Sequence, residues 1–191
     1  MSCDLYVQEV MKFRRALNLT SIADPVLFHK RFITPSLALA RWLPEEGRML
    51  DIGSGMGVPG IPLLIARPGL VGVLVERRKK RAEFLRHIVR KLKLNAEVYD
   101  ADVNDLPSLH VDLCVARAVT DEAMLLRMCT PHANANALAV LPVPLSHQPD
   151  AADGWQLSGE HDLNIAEDEE GDGIQRVRCY RYCDQTEGGF T

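Results

Sequence analysis

An α/β fold, with a mostly parallel sheet covered by helices on both faces, is what this 191-residue chain predicts, on three observations. Strand-length apolar runs alternate with segments of helical period between about residues 48 and 141. The first of those strands spills into a glycine-rich turn, Gly53-Ser54-Gly55-Met56-Gly57-Val58-Pro59-Gly60. Acids stand at the ends of the first two strands, Asp51 and Glu76, where ligands of such sheets gather.

Taken in order, residues 5–17 and about 25–42 read as helices, with Leu5, Val10, Phe13 and Leu17 near helical spacing and Phe28, Phe32, Leu37 and Leu39 less regular. Asp24 is a good N-cap and Pro25 suits a first helical position. Strand signals then fall at 48–52, 71–76, 96–99, 111–116 and 137–141, with helical stretches at about 60–66, 77–93 and 121–130. In the helix after Glu76 an apolar stripe of Ala82, Leu85, Val89 and Leu92 fits packing on a sheet while the bases take the other faces. Past three prolines at 142–150, residues 155–164 and 174–183 predict a terminal hairpin around an acidic loop at 166–173. One domain is expected over 1–191: an N-terminal helical segment (1–46), a cofactor-binding core (47–141) and a C-terminal hairpin region (142–191).

The glycine loop admits two ligands. Gly55, Gly57 and Gly60 satisfy the spacing that cradles a dinucleotide pyrophosphate. Asp51 argues for the other: an acid at the loop repels a pyrophosphate but can hold the α-ammonium of S-adenosylmethionine, directly or through water. Gly53, Gly55 and Gly57 let backbone approach the ligand, some of them with φ above zero. Glu76 suits a ribose diol, with hydrogen bonds worth roughly 1.5–3 kcal/mol each, and does not discriminate between the two cofactors. The sheet rule gathers Asp51, Glu76, the residues after 99 and Arg117 around one crevice.

Composition narrows the partners. The net charge is −4, yet residues 1–93 hold 17 of the 22 Lys and Arg against 8 acids, so a phosphate-bearing substrate is expected to meet the first half. Arg77-Arg78-Lys79-Lys80-Arg81, Arg86, Arg90, Lys91 and Lys93 make most of that excess, with Lys12, Arg14, Arg15, Lys30 and Arg31 adding to it. A solvated helix face explains the run after Glu76 equally well. Five scattered cysteines and six dispersed histidines predict no metal site, and neither a membrane span nor a signal peptide is indicated, so a cytoplasmic protein is expected.

Methyl transfer is an in-line displacement in which alignment can supply on the order of 7–11 kcal/mol of the barrier. The chain has neither the Asn/Asp-Pro-Pro-aromatic motif of exocyclic-amine methylation nor a Pro-Cys nucleophile. A ring nitrogen such as guanine N7 carries no proton and needs neither. Arg117, ending the fourth strand, could bond guanine O6 or a phosphate, hold the cofactor, or simply pair with Asp102.

The motifs Asn18-Leu19-Thr20-Ser21-Ile22, Asp24-Pro25, Leu50-Asp51-Ile52-Gly53-Ser54-Gly55-Met56-Gly57-Val58-Pro59-Gly60-Ile61-Pro62-Leu63, Arg67-Pro68, Lys80-Arg81, Phe84-Leu85, Lys93-Leu94 and Ala116-Arg117-Ala118 together resemble the bacterial small-subunit ribosomal RNA guanine-N7 methyltransferase family, RsmG or GidB, over roughly residues 6–141. The resemblance implies a Rossmann-like class I S-adenosylmethionine-dependent methyltransferase with a seven-stranded, mostly parallel sheet flanked by helices. It implies one guanine of 16S ribosomal RNA as acceptor, with the RNA or the small ribosomal subunit as partner. By position it implies cofactor contacts at Gly53, Val58, Val103, Asn104 and Arg117, with Arg117 the candidate catalytic residue. The chain departs from the family by starting late in the first helix, and by carrying Phe32, Pro35 and Pro142 where polar or charged residues are usual. These departures leave a divergent member with the same target and one retuned to another substrate both open. Two rivals from other classes are a non-catalytic module that binds the cofactor or the ribosome, and a nicotinamide-dependent oxidoreductase.

Overall fold

In the computed structural model, which describes residues 2–117, 121–145, 148–149, 152–163 and 174–183, seven strands form one sheet in the order β3-β2-β1-β4-β5-β7-β6. The strands are β1 (Glu46–Ile52), β2 (Gly69–Val75), β3 (Ala96–Tyr99), β4 (Val111–Val115), β5 (Ala133–Pro144), β6 (Trp155–Asp162) and β7 (Ile174–Tyr182). Strands β1 to β5 pair in parallel, whereas β7 runs antiparallel to both β5 and β6. The strand sequence reverses direction between β1 and β4, so the ends of β1, β2 and β4 border the crevice where such sheets take ligands.

Side chains alternate across the sheet because successive strand residues point to opposite faces. Met49, Leu74, Leu113 and Val140 join the core under α1 (Ser2–Phe13), α4 (Gly60–Ala66) and α5 (Lys79–Leu92), while Leu50, Val73, Cys114 and Ala139 join the core under α6 (Glu122–Cys129). Strands buried on both faces explain the near-continuous apolar runs of the sequence. On α5 the buried set is Ala82, Phe84, Leu85 and Ile88, with Val89 and Leu92 at its edge, so the buried face is shifted from the predicted stripe.

Several expectations are revised. The helix expected over about 25–42 is α2 (Pro25–Phe28), a π-helical turn (His29–Ile33), α3 (Thr34–Leu39) and a 3-10 turn (Ala40–Trp42). Pro35 is part of the reason, since it lacks the N–H that would return to the Arg31 carbonyl four residues back. Asp24 caps α2 as expected, its Oδ1 accepting the Val26 N–H at 2.8 Å. Strand β5 runs on through Pro142, which is buried opposite Val177 of β7, so this departure lies inside the sheet rather than in a loop open to substrate. The hairpin forms as β6 and β7, and the acidic stretch 166–173 lies outside the described residues. Among the described residues no helix is long and apolar enough to cross a membrane.

Candidate cofactor site

The loop after β1 is shaped by its own backbone. Gly53 N–H and Ser54 N–H donate to the Val75 carbonyl at 2.9 and 3.1 Å, which lashes the start of the loop to the end of β2. Gly57 N–H then donates to the Ser54 carbonyl at 2.6 Å and the Gly57 carbonyl accepts Ile61 N–H at 2.7 Å, turning the chain into α4. Gly57 has φ +105° and a Cβ there would lie 2.5 Å from Ile61 Cγ1, so glycine is required both by conformation and by space. At Gly53, φ +68°, a Cβ would meet nothing within 4 Å; there conformation is the constraint, and the space in front stays open.

Asp51 lies elsewhere than at the mouth of the cleft. Its side chain is 1% exposed and turned inward, with Oδ2 accepting the Gly60 N–H at 3.2 Å. The carboxylate therefore sits at the positive end of α4, where it satisfies one of that helix's unpaired donors. A Cβ on Gly60 would come within 2.5 Å of the same oxygen, so Gly60 is small because Asp51 fills the space. Burial pushes the Asp51 carboxyl up to about 7; the Ser54 hydroxyl and the Gly60 N–H pull it back down, and the Glu76 charge adds to the rise. The expectation of a carboxylate aimed at its ligand is corrected: the group is buried beneath the loop and Oδ2 is engaged by the Gly60 N–H.

Glu76 is also more engaged than expected. Its Oε2 accepts the Gly55 N–H at 3.0 Å and its Oε1 accepts the Arg78 N–H at 2.8 Å, so it joins the glycine loop to the start of α5. A carboxylate has roughly four lone-pair sites, which leaves about two for a diol. Arg81 closes the same corner: its Nη1 lies 3.8 Å from the Cβ position of Gly55, and its Nη2 donates to the Asn18 carbonyl.

The other expected contacts differ in their surroundings. The Val58 side chain is buried in the core beneath it. Beyond β3, Asp102 caps a 3-10 turn (Val103–Asp105), accepting Asn104 N–H at 3.0 Å and Asn104 Nδ2–H at 2.8 Å, and Asn104 is left exposed. Val103 is buried, and its carbonyl lies 3.1 Å from His132 Nε2.

Arg117 does not reach for Asp102. Its guanidinium carbon stands 4.4 Å from the centroid of the Phe32 ring, and its Nη2 donates to the Arg31 carbonyl at 3.0 Å. That carbonyl is the one Pro35 cannot serve, so two departures from the family pattern, Phe32 and Pro35, together receive the arginine. Tyr6, which the sequence reading did not single out, is fully buried and donates from its hydroxyl to the Met56 carbonyl at 2.9 Å, pinning the glycine loop under α1. Of the residues expected to face the core from this helix only Val10 is buried, with Phe13 and Leu17 at the edge; the buried face of α1 is Tyr6, Val7, Glu9 and Val10, rotated from the expected one.

The basic run is partly consumed by the fold. Arg86 pairs with Asp100 at 2.5 Å and Glu83 at 2.7 Å, and Lys91 pairs with Glu9 at 2.9 Å, whereas Arg77, Arg78, Lys79 and Lys80 are exposed.

Residues 2–142 match the family model described as rRNA small subunit methyltransferase G, GidB. The chain belongs to this family. A ribosomal RNA small subunit methyltransferase G of Xanthomonas oryzae pv. oryzae is 33% identical over 169 residues, covering 84% of this chain and 77% of the relative. One of Shigella flexneri is 42% identical over 104 residues, covering 54% of this chain and 50% of the relative. In the Shigella match, as in several others, the chain spans about half the length of the curated relative. Among solved structures, a putative methyltransferase from Escherichia coli superposes with a TM-score of 0.63 at 17% identity, covering 80% of this chain and 88% of that one, a likeness of fold. The GidB match takes in all of the glycine loop, Glu76 and Arg117, and it ends at Pro142, inside β5.

Proposed function

We propose that the chain is an S-adenosylmethionine-dependent methyltransferase of small-subunit ribosomal RNA, acting on N7 of a guanine in the cytoplasm, with residues 47–141 as the cofactor-binding core and 1–46 packed over it. The observation that carries the reading is the state of the loop donors. The N–H groups of Gly53, Ser54, Gly55, Gly57 and Gly60 are all satisfied by acceptors within the chain, and the amino end of α4 already holds the Asp51 carboxylate. A dinucleotide pyrophosphate needs those donors and that helix end for itself, and would meet a carboxylate there. A sulfonium cofactor bearing an ammonium needs neither, and gains from the two buried acids beneath the loop.

In this reading the space before Gly53 admits the amino-acid end of the cofactor, the Asp51 charge favours its ammonium through the loop, and the remaining lone pairs of Glu76 accept the ribose hydroxyls. Asn104 and the turn after β3 flank the nucleoside. S-adenosylmethionine supplies the electrophilic methyl group when bound. Arg117 holds the target base or its phosphate, its plane set by Phe32 and the Arg31 carbonyl. Because N7 has no proton to lose, no general base is required of the chain. The exposed Arg77, Arg78, Lys79 and Lys80 support a nucleic-acid partner.

The cofactor is tested by thermal melting: S-adenosylhomocysteine is expected to raise Tm and NADH to leave it unchanged, and the reverse result rejects the reading. The reaction is tested with methyl-labelled donor and unmodified small-subunit particles, the labelled nucleotide being mapped by mass spectrometry; label on guanine N7 is expected. Cofactor binding without transfer to RNA would favour the binding-module alternative. Arg117→Ala is expected to lower turnover roughly 10- to 150-fold, from about 1.5–3 kcal/mol of charged hydrogen bonding, with S-adenosylhomocysteine affinity retained. Normal turnover in that variant would remove Arg117 from the mechanism.

A further inference from the structure

Between the end of α1 and the start of α2 lies a cavity of about 510 Å³ lined by Arg14, Arg15, Asn18, Thr20, Ser21 and Ala23. Two guanidinium groups, two hydroxyls and one carboxamide face it, and among the described residues no acidic side chain lines it. The hydrogen-bond pattern inside it favours an anion. Thr20 Oγ1 already accepts the Ile22 N–H at 3.2 Å, which leaves its own proton to donate. Arg14 spends Nη1 on the Met11 carbonyl at 3.1 Å and keeps most of its five donors. The nearest acid in sequence, Asp24, turns Oδ1 to the Val26 N–H as the cap of α2.

The cavity is joined to the cofactor crevice by one side chain. Asn18 takes a left-handed conformation, φ 49°, and its carbonyl accepts Arg81 Nη2, while Arg81 Nη1 lies beside Gly55 of the glycine loop. An anion held by Arg14 and Arg15 is therefore one arginine away from the cofactor loop. Its volume exceeds the need of a lone phosphate and allows a backbone with its flanking sugars. Phosphate contacts fix the register of a nucleic acid without reading its sequence, which is what a strand presenting one base to a crevice requires.

We propose that this cavity is a backbone subsite that grips one phosphodiester of the RNA strand beside the target nucleotide. The assignment rests on the RNA-methyltransferase reading above. It predicts that Arg14→Gln/Arg15→Gln weakens a labelled single-stranded oligoribonucleotide at least tenfold at 50 mM salt, irrespective of its sequence, and makes the slope of log affinity against log salt shallower by about 0.7–1. Affinity for S-adenosylhomocysteine, measured by calorimetry, should not change, which shows that the variant is folded. Arg14→Lys/Arg15→Lys should restore most of the slope.

Fluorescence anisotropy from 50 to 200 mM salt decides it. If the wild type binds RNA and the glutamine variant matches it in affinity and slope, the subsite is wrong and the RNA reading survives. If the wild type binds S-adenosylhomocysteine but no RNA at 50 mM salt, the RNA reading fails and takes the subsite with it. If millimolar inorganic phosphate raises the wild-type Tm while RNA binding is indifferent to the variant, the cavity serves a small anion and the proposal is overturned.

Discussion

An Asp51→Asn variant should gain stability over the wild type as pH rises from about 4 to about 7, by an amount approaching roughly 4 kcal/mol, and hold that gain at higher pH. The carboxyl is wholly buried, and its pKa is raised from the ordinary 3.8 to about 7, so the fold prefers the protonated form. The stability this proton contributes is complete below the unfolded pKa and is lost as pH rises through the folded one. Asparagine keeps an oxygen for the Gly60 N–H, now accepted by Asp51 Oδ2 at 3.2 Å, and does not titrate, so any cost of its buried amide is the same at every pH. Urea denaturation at closely spaced pH values reads the difference directly; parallel curves for the two proteins across this window would show that the buried charge costs nothing. The same group makes a binding prediction. A cofactor ammonium over the loop favours the ionised carboxylate, so binding should release a proton and the affinity for S-adenosylhomocysteine should rise with pH up to about 7 and then level, a dependence absent from Asp51→Asn. A wild-type affinity flat between pH 5 and 7 would uncouple Asp51 from the ligand.

Glu122→Ala should be destabilising by about 3–5 kcal/mol, which for a chain of this size lowers Tm on the order of 10 °C. Glu122 opens α6 and is 2% exposed; it pairs with Nη1 of Arg178, itself 1% exposed on β7, and accepts the Tyr180 hydroxyl at 2.6 Å. Arg178 Nε reaches Glu160 Oε2 at 2.6 Å on the solvent side. Removing Glu122 leaves the buried half of the guanidinium without its counter-charge, and the desolvation already incurred is no longer offset. The double variant Glu122→Leu/Arg178→Met should be much closer to wild type, because it removes both charges together. A single variant that melts with the wild type would show the pair to be energetically neutral. The network has a functional position too: it anchors the helix that begins shortly after Arg117 to the antiparallel edge of the sheet.

Much of the site was legible because it is local in sequence. Asp51 and the three glycines lie within seven residues, and Glu76 closes the next strand, so strand period and turn chemistry suffice to bring their backbones to the same end of two neighbouring strands. Contacts formed across long separations were not legible. Arg117 meets Phe32 and the Arg31 carbonyl eighty-six positions away, and Tyr6 meets Met56 fifty away. Phe32 looked like a loss when set against the family pattern, because a pattern records residue types and not the arginine that an aromatic ring meets across the fold. Nothing in the terminal hairpin's sequence shows that Arg178 is buried, since its counter-charge is an acid fifty-six residues earlier on another element.

From the order of its residues alone this protein is a mostly parallel, doubly covered sheet with a glycine-rich loop after β1 and an acid after β2, because strand alternation, helical period and glycine's freedom at positive φ act within a few residues of one another. Which way the acids face came from packing. Asp51 turns under the loop because the amino end of α4 offers a donor there and Gly60 leaves room for the oxygen, and the Arg117 plane is set by the Arg31 carbonyl and the Phe32 ring. Burial and the pairing of distant polar groups are properties of the assembled layers, and they exist in no stretch of chain short enough to be read as a motif.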